Sequence, residues 1–328
     1  MVYLTNIASS SRYLNWFEQS WHQIADFTKK NRLDGVELIV HHDAPDLTAI
    51  PPNLVQGLHL TYWPVCLDFL RQDKEALLRQ FGNEENIRMY YEGLTPQCMI
   101  NHYKNELRIA KQLKVKYVVF HVSHVELAHI YTWKFSYHDR EVLDAAADLI
   151  NEVFREEEGE ITLLCENLWW PGLNFLDPDE TERFIKRIQY PNKGFMLDIG
   201  HLMITNPRLT NGQEAVNYIL DTLKNLGAVK EWIKGIHLNM ALCGDYLQQD
   251  HSGKAEKLDQ IENIWDRFLE ARDHILNIDV HVPFDDPAIR KVIDFIQPQY
   301  VVFEVEPKDV QQFAHFITAQ NQALGRMP

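Results

Sequence analysis

The chain has 328 residues, of which 45% are hydrophobic and 24% charged, which is typical of a globular protein with a large core. Asp and Glu outnumber Lys and Arg by 47 to 32, giving a formal net charge of −15 at pH 7. A surface this acidic repels phosphate backbones and anionic lipids, so composition argues against nucleic-acid and membrane partners, although a local basic patch remains compatible with it.

The cysteines and the N-terminus predict the cellular setting. The four cysteines stand far apart and form no CxxC pair, so we expect free thiols in a reducing compartment; they are Cys66, Cys98, Cys165 and Cys243. Residues 1–6 lack the basic and apolar regions of a signal peptide, and no apolar run approaches the roughly 18 residues that a membrane helix needs. We therefore expect a cytoplasmic protein.

Short apolar runs, rich in β-branched and aromatic residues, alternate along the chain with amphipathic segments. The eight runs are Val2–Ala8, Gly35–Val40, Gly57–Tyr62, Tyr117–Val122, Ile161–Glu166, Gly194–Asp198, Ile233–Leu238 and Tyr300–Val305. The predicted helices are Trp16–Asn31, Pro96–Leu113, Asp139–Glu157, Pro178–Ile188, Gly212–Leu226, Asp259–Ile275 and Pro287–Ile296. This alternation predicts an α/β fold, a (βα)8 TIM barrel formed by residues 1–328 as a single domain. A doubly wound open sheet is the alternative, but no Gly-rich phosphate loop follows Val2–Ala8.

Two intervals between runs are longer than an ordinary βα unit. The first predicts that residues 63–95 form extra helix and loop over the barrel mouth. The second lies between the last two runs and contains a ninth apolar run, Ile275–His281. We interpret that run as an excursion in the last βα loop, because Tyr300–Val305 makes the better closing strand. The barrel should therefore carry long loops at its C-terminal face.

The C-terminal strand ends of a parallel barrel gather on one face, and that face carries the active site. The predicted strands end in, or are followed by, residues of metal-ligand type: His59, His121, Glu166, Asp198, His201, His237 and Glu304, with Asp279 and His281 in the loop run. Alternation supports this, since His121 shares a strand face with Val119, and Glu304 with Val302. One such histidine alone would more often be a hydrogen-bonded core residue, and Glu37 could be a solvated strand residue or a salt-bridge partner. Six strands ending this way indicate a metal site, because burying several carboxylates together is costly without a cation.

The segment Gly194–His201 illustrates the pattern. It is an apolar run that ends in a carboxylate, turns at Gly200 and supplies an imidazole three residues after Asp198. An oxygen and a nitrogen ligand at one strand end suit a divalent cation such as Mn, Zn or Co. Alone the motif is weak, because Asp and His also serve as turn formers and caps.

The chain resembles the xylose isomerase-like superfamily of TIM barrels, which includes sugar isomerases and epimerases and the endonuclease IV family. The strings that carry the resemblance are Asp34–Leu38, Cys165–Asn167, Leu197–His201, Gly235–Asn239 and Val302–Glu304. In epimerase-type members a Glu, an Asp, a His and a second Glu hold the metal, which here implies Glu166, Asp198, His237 and Glu304. The resemblance further implies that His201 touches substrate and that the two glutamates act as proton acceptor and donor.

The endonuclease IV family uses a three-zinc cluster with additional ligands, and matching residues are present here. The resemblance implies that His59, His121, His201, Asp279 and His281 could complete such a cluster. Two departures argue against nuclease function: the charge of −15, and an Asp-x-His that lies far from His237 and continues as Val282-Pro283-Phe284.

These observations favour a divalent-metal-dependent isomerase or epimerase that acts on a sugar or related polyol through a metal-stabilised ene-diolate. The metal would be Mn, Zn, Co or Mg, with more than one ion if the additional ligands are used. An endonuclease IV-like phosphoester hydrolase and a non-catalytic, metal-binding barrel are the alternatives. Barrels of this superfamily often pair, so a homo-oligomer is compatible with the sequence, although no segment predicts a dimer interface.

Overall fold

A computed structural model describes residues 1–41 and 47–327, and its eight parallel strands close into a barrel in chain order. The strands are β1 (Val2–Ala8), β2 (Gly35–Ile39), β3 (Val55–His59), β4 (Tyr117–His121), β5 (Thr162–Glu166), β6 (Lys193–Asp198), β7 (Ile233–Leu238) and β8 (Tyr300–Phe303). Strand β1 pairs with both β2 and β8, which closes the sheet. The predicted (βα)8 barrel is confirmed, and each predicted run overlaps a strand.

Fifteen α-helices surround or cap the barrel in the described part of the chain. They are α1 (Ser11–Asn15), α2 (Trp21–Lys30), α3 (Leu67–Arg71), α4 (Lys74–Phe81), α5 (Glu84–Tyr91), α6 (Pro96–Leu113), α7 (Asp139–Val153), α8 (Pro178–Arg187), α9 (Ile199–Ile204), α10 (Gly212–Asn225), α11 (Gly244–Leu247), α12 (Ser252–Asp259), α13 (Ile264–Ile275), α14 (Arg290–Ile296) and α15 (Val310–Ala323). Within these described residues, no helix is both long and apolar enough to cross a bilayer.

Two helices are shorter in the structure than predicted. The segment 16–31 contains only α2, because Glu18 and Gln19 adopt positive φ angles of 51° and 61°, a conformation that a right-handed helix cannot accommodate. In the segment 259–275, residue 259 is the last residue of α12, and α13 begins at Ile264. Helix α15 was not among the predicted helices, yet it packs on the barrel through Phe313 and Ile317, which are fully buried.

The interior of the barrel is a plug of apolar side chains. They alternate along the strands as predicted and form one cluster: Leu4, Tyr117, Val119, Leu164, Met196 and Val302. Gly57 leaves room for this plug, because a Cβ there would lie 2.2 Å from the ring of Tyr117. The next inward-facing residues toward the C-terminal strand ends are polar, so the plug forms the floor beneath them.

The long insertion after β3 contains helices α3, α4 and α5 and lies over the barrel mouth, as expected. Buried His124, in the loop after β4, anchors it: its Nδ1 accepts hydrogen bonds from the backbone N–H groups of Cys66 (3.0 Å) and Leu67 (3.3 Å). These N–H groups lie at the start of α3, where helical partners are lacking. A neutral imidazole therefore holds the first insertion in place.

The insertion between β7 and β8 contains α11, α12 and α13 and returns to the barrel through an isolated antiparallel bridge between Met240 and Val282. The N–H of Met240 donates to the carbonyl oxygen of Val282 at 2.8 Å. This bridge brings Asp279 and His281 beside the end of β7, although about forty residues of sequence separate them from His237. The expected excursion in the last βα loop is confirmed.

We expect His124 to make the stability of the fold sensitive to acid. Burial lowers the pKa of His124 to about 3, whereas an unfolded histidine titrates near 6.5. Because the folded pKa is the lower one, the stabilisation is complete above pH 6.5 and is lost as pH falls toward 3. In His124→Asn, whose amide oxygen can accept the same two N–H groups, the free energy of unfolding should fall about 1 to 2 kcal/mol less between pH 6.5 and pH 5 than in the unmodified protein.

Urea unfolding at both pH values measures this difference. His22→Asn, on α2, is the matched control, and equal pH dependence in all three proteins would contradict the assignment to His124.

Candidate metal centre

All nine residues predicted as ligands converge at the C-terminal face of the barrel. They form three groups in which the candidate ligand atoms lie within 4.8 Å of one another: His59, His121 and Glu166; Glu166, Asp198, His237 and Glu304; and His201, Asp279 and His281. The strands supply the first two groups, and α9 with the last insertion supplies the third. Sequence alone could not show this division into three groups.

Glu166 is shared by the first two groups. It is fully buried, and its Oε2 lies 3.1 Å from Nε2 of both His59 and His121. Its other oxygen, Oε1, lies 3.0 Å from Nδ1 of His237. The carboxylate therefore spans two sets of imidazoles, and each oxygen belongs to a different set.

The carbonyl oxygen of Leu60 sets the orientation of the His59 ring. Its Nδ1 lies 3.1 Å from the carbonyl oxygen of Leu60, so Nδ1 carries the proton and Nε2 faces Glu166. Burial alone would lower the pKa of His59, but the hydrogen bond and charge of Glu166 outweigh burial and raise it to about 9. An imidazole oriented in this way is prepared to offer Nε2 as a ligand.

Asp198 and Glu304 complete the second group around His237. Nδ1 of His237 lies 2.9 Å from Oε2 of Glu304 and 3.9 Å from Oδ2 of Asp198. Burial is the largest of the effects that together raise the pKa of Asp198 to about 8; the carboxylates of Glu304 and Glu166 also raise this pKa, whereas His201 and His237 lower it. In the absence of a cation, this group therefore holds more negative charge than its surroundings compensate.

The segment after β6 is fixed by two asparagines. Oδ1 of Asp198 accepts the N–H of His201 at 2.6 Å, which caps α9, and its Oδ2 accepts from Nδ2 of Asn239 at 2.8 Å. The N–H of Asp198 donates to Oδ1 of Asn167 at 2.8 Å. Gly200 is required here, because a Cβ at this position would lie 1.8 Å from Oδ1 of Asn239. These contacts hold Asp198 and His201 in fixed directions.

His201 belongs to the third group. Its Nδ1 donates to the carbonyl oxygen of Asn167 at 2.8 Å, which leaves Nε2 facing Oδ2 of Asp279 at 3.3 Å. Nε2 of His281 approaches the same oxygen at 2.8 Å. His281 has a φ of 44°, which is unfavourable for a residue with a Cβ and is typical of strained functional positions. Both imidazoles therefore direct Nε2 toward one carboxylate.

Sequence reasoning assigned no function to Glu37, which the structure places beneath the second group. It is fully buried, its Oε1 lies 3.0 Å from Nε2 of His237, and the hydroxyl of Tyr117 donates to its Oε2 at 2.7 Å. Of the two readings of Glu37, the structure matches the salt-bridge partner. A carboxylate behind a ligating histidine fixes its orientation and increases its basicity. The signal in the sequence was a charged residue inside an otherwise apolar run.

The donor atoms of these groups fit divalent cations. A ring nitrogen carries at most one proton, yet Nδ1 of His237 faces both Glu166 and Glu304. Oε2 of Glu304 must therefore share the proton of His237 with Glu166, and Oδ1 of Asp279 is buried without a hydrogen-bond partner in the described part of the chain. Buried oxygens of this kind are costly unless a cation compensates them. Mixed imidazole and carboxylate sets suit Zn, Mn or Co better than Mg, which prefers oxygen.

A cavity of about 340 Å³ opens directly above these groups, and His121, His201, Asp279, His281 and Glu304 form its polar floor. We call it the mouth chamber. Its walls are the segments that follow β3, β4 and β5 together with one face of α13. Any molecule in the mouth chamber therefore meets the candidate ligands at one end only.

Comparison with known proteins identifies the architecture. Residues 96–317 match the family model described as Xylose isomerase-like TIM barrel. No curated protein sequence matches the chain.

Solved structures with the same fold include endonuclease IV from Thermus thermophilus, with a TM-score of 0.51, 13% identity and complete coverage of both chains. The IolI protein with a bound zinc atom has a TM-score of 0.51 at 14% identity, with 99% of each chain covered. L-ribulose 3-epimerase has a TM-score of 0.51 at 11% identity, and the match covers 99% of this chain and 94% of the epimerase chain. At these identities the likeness concerns the fold.

We predict that Glu37→Gln weakens metal binding by about 10- to 100-fold, the usual effect of removing a carboxylate behind a ligating histidine. The amide keeps the shape of Glu37 but removes the charge that orients His237. Competition with a chromophoric chelator measures the affinity, and circular dichroism verifies the fold.

Tyr117→Phe should give a smaller loss, because it removes only the hydrogen bond to Glu37. Glu75→Gln, on the exposed side of α4, is the control. Unchanged affinity in a folded Glu37→Gln variant would show that Glu37 does not support the metal centre.

Proposed function

The chain belongs to the xylose isomerase-like TIM-barrel family, and on that premise we propose that it is a divalent-metal-dependent enzyme that acts on a small molecule in the mouth chamber. We further propose that the site holds several ions and that the reaction is hydrolysis of a phosphoester. The observation that carries this proposal is the convergence of three complete ligand groups, two of them joined by Glu166.

The direction of His201 supports its role as a ligand rather than a substrate contact. Asn167 fixes the proton on Nδ1, and the remaining Nε2 points to Asp279. His281 points to the same carboxylate from the other side. If both imidazoles were neutral with Nε2 unprotonated, their lone pairs would face the carboxylate of Asp279. A proton or a cation between these atoms removes that repulsion.

The formal charge of the site also favours several ions. Five carboxylates lie at the site. Four belong to the three groups, namely Glu166, Asp198, Asp279 and Glu304, and Glu37 lies beneath the second group. One dication would leave an excess of three negative charges, which would repel an anionic substrate, whereas three dications would give a net formal charge of +1. A phosphoryl group is then favoured electrostatically.

Bound divalent ions would supply Lewis-acid activation of water and of the phosphoryl group. The residues of the chain would provide the geometry. Glu166 would hold two ions at a fixed separation, and Glu37 would orient His237 from below. Asp198, fixed by Asn239, would keep the second and third groups in register. The surrounding insertions would limit the access of bulk water.

A small-molecule substrate agrees better with the chain than a polynucleotide does. The formal charge of −15 opposes a DNA backbone, and the mouth chamber is of the size that takes a small ligand. Endonuclease IV is similar in fold only.

The isomerase or epimerase reaction remains the second candidate. Glu166 and Glu304 both lie within 3.0 Å of Nδ1 of His237, so two carboxylates face one position, as a proton acceptor and a proton donor would. Against this, both oxygens of Glu166 are already engaged, Oε2 by His59 and His121 and Oε1 by His237. A carboxylate in that environment is a weak proton acceptor.

Metal stoichiometry tests the multinuclear site. We expect elemental analysis of the purified protein to give close to three divalent ions per chain. His281→Ala should lose about one ion and retain the others, because the cage of Glu166, Asp198, His237 and Glu304 does not include this residue. A single ion in both the unmodified protein and the variant would contradict the proposal. His315→Ala, on α15, is the control for the loss of an unrelated histidine.

The reaction is tested with the metal-loaded protein and two sets of substrates. We expect release of 4-nitrophenol from 4-nitrophenyl phosphate or bis(4-nitrophenyl) phosphate, and a decrease of at least 100-fold in His281→Ala. An isomerase would instead interconvert sugars in a panel of aldoses and ketoses, lose turnover in Glu166→Gln and Glu304→Gln, and tolerate His281→Ala. That second pattern would replace the hydrolase proposal by the isomerase.

A further inference from the structure

The walls of the mouth chamber are almost entirely apolar. The side chains that form them include Leu127, Ile130, Leu168, Trp169, Trp170 and Ile275. Arg272 is the one wall residue with a permanent charge among the described residues, and it is exposed to solvent. The polar atoms of the chamber are therefore concentrated on its floor, at the candidate metal ligands.

The wall that follows β5 is held rigidly. The loop that carries Trp169 and Trp170 is closed by a hydrogen bond from the N–H of Leu168 to the carbonyl oxygen of Leu173 (3.0 Å), and Leu173 donates to Val122 (2.9 Å). The two indole rings lie 4.6 Å apart, and the ring of Trp169 lies 5.1 Å from that of His201. The aromatic wall thus reaches down to the ligands themselves.

These walls can replace only a small part of the hydration of a polyol. Besides Arg272, the described wall side chains with polar atoms are the two tryptophans and Tyr62. Their two indole N–H groups and one hydroxyl are buried without partners in the described part of the chain, and they could meet only a few hydroxyl groups of a substrate. A sugar with several hydroxyl groups would lose hydrogen bonds to water and gain few in return, which is unfavourable for each hydroxyl. An aromatic or aliphatic body would instead gain by burial.

We infer that the substrate has an apolar, aromatic or aliphatic body, which occupies the mouth chamber, and a single oxygen-rich head that reaches the metal centre. The inference rests on the proposed function only in requiring metal at the site. It applies whether the head is a phosphoryl group or another chelating group.

Three hydroxamates with the same metal-binding head test the inference without turnover. Acetohydroxamate carries no body, benzohydroxamate carries an aromatic ring, and gluconohydroxamate carries a polyol. Isothermal titration of the metal-loaded protein should show benzohydroxamate binding at least tenfold more tightly than acetohydroxamate, with no gain for gluconohydroxamate. Equal binding of the first two, or tighter binding of the polyol, would overturn the inference.

Variants of α13 locate the effect. Ala271→Phe should fill the chamber and remove the preference for benzohydroxamate, while acetohydroxamate still binds. Because Ala271 is buried, Ile275→Asn, which makes the wall polar at a partly exposed position, provides a second test with the same expected direction. Leu269→Asn, on the same helix but 60% exposed and outside the chamber, is the matched control. A preference that survives in folded Ala271→Phe and Ile275→Asn would place the ring elsewhere and contradict the inference.

The two proposals fail separately. An apolar preference among hydroxamates without phosphoester hydrolysis would leave the chamber assignment standing and remove the hydrolase. Hydrolysis without that preference would support the hydrolase and remove the assignment of an apolar substrate body to the chamber.

Discussion

Several buried carboxylates lie close together at the strand ends, with too few proton donors to neutralise them. The rest of this structure depends on this constraint. Closed parallel strands direct their last inward-facing side chains to one point, and here most of those side chains are acids or imidazoles. Glu166 and Glu304 both approach Nδ1 of His237, which can satisfy only one of them. A barrel without edges and with a solid apolar floor can hold such groups close together, and a bound cation would compensate their mutual repulsion.

The sequence made the barrel and the convergence of the candidate ligands predictable because both follow from strict periodicities. Alternation within strands of known direction sends His121 and Glu304 to the same face as their apolar neighbours, and parallel strands bring those ends together. The partition into three groups depends instead on side-chain directions. The backbone carbonyls of Leu60 and Asn167 orient His59 and His201, and such local hydrogen bonds leave no periodic signal.

Long-range closure explains most of what could not be predicted. The bridge between Met240 and Val282 depends on three intervening helices, and nothing near Asp279 in the sequence indicates it. Glu37 has an ambiguous position in the sequence, because a charged residue in a short strand is more often solvated than buried. Helix α2 begins later than predicted because Glu18 and Gln19, which ordinarily favour helices, adopt positive φ angles. In each case tertiary packing decides between locally acceptable conformations.

The insertion that ends at the Met240–Val282 bridge joins helix α13 directly to the residues of the third ligand group. The N–H of Asp279 donates to the carbonyl oxygen of Ile275, the last residue of α13, at 2.9 Å. Helix α13 forms one wall of the mouth chamber, and the residues directly after it carry Asp279 and His281. A ligand that displaced α13 would therefore also shift the third group, and an ion held by that group would restrain α13. By thermodynamic reciprocity, ion occupancy of the third group and ligand binding in the chamber would then alter each other's affinity by the same factor. The enzyme would thus be most discriminating toward its substrate when it is fully metallated.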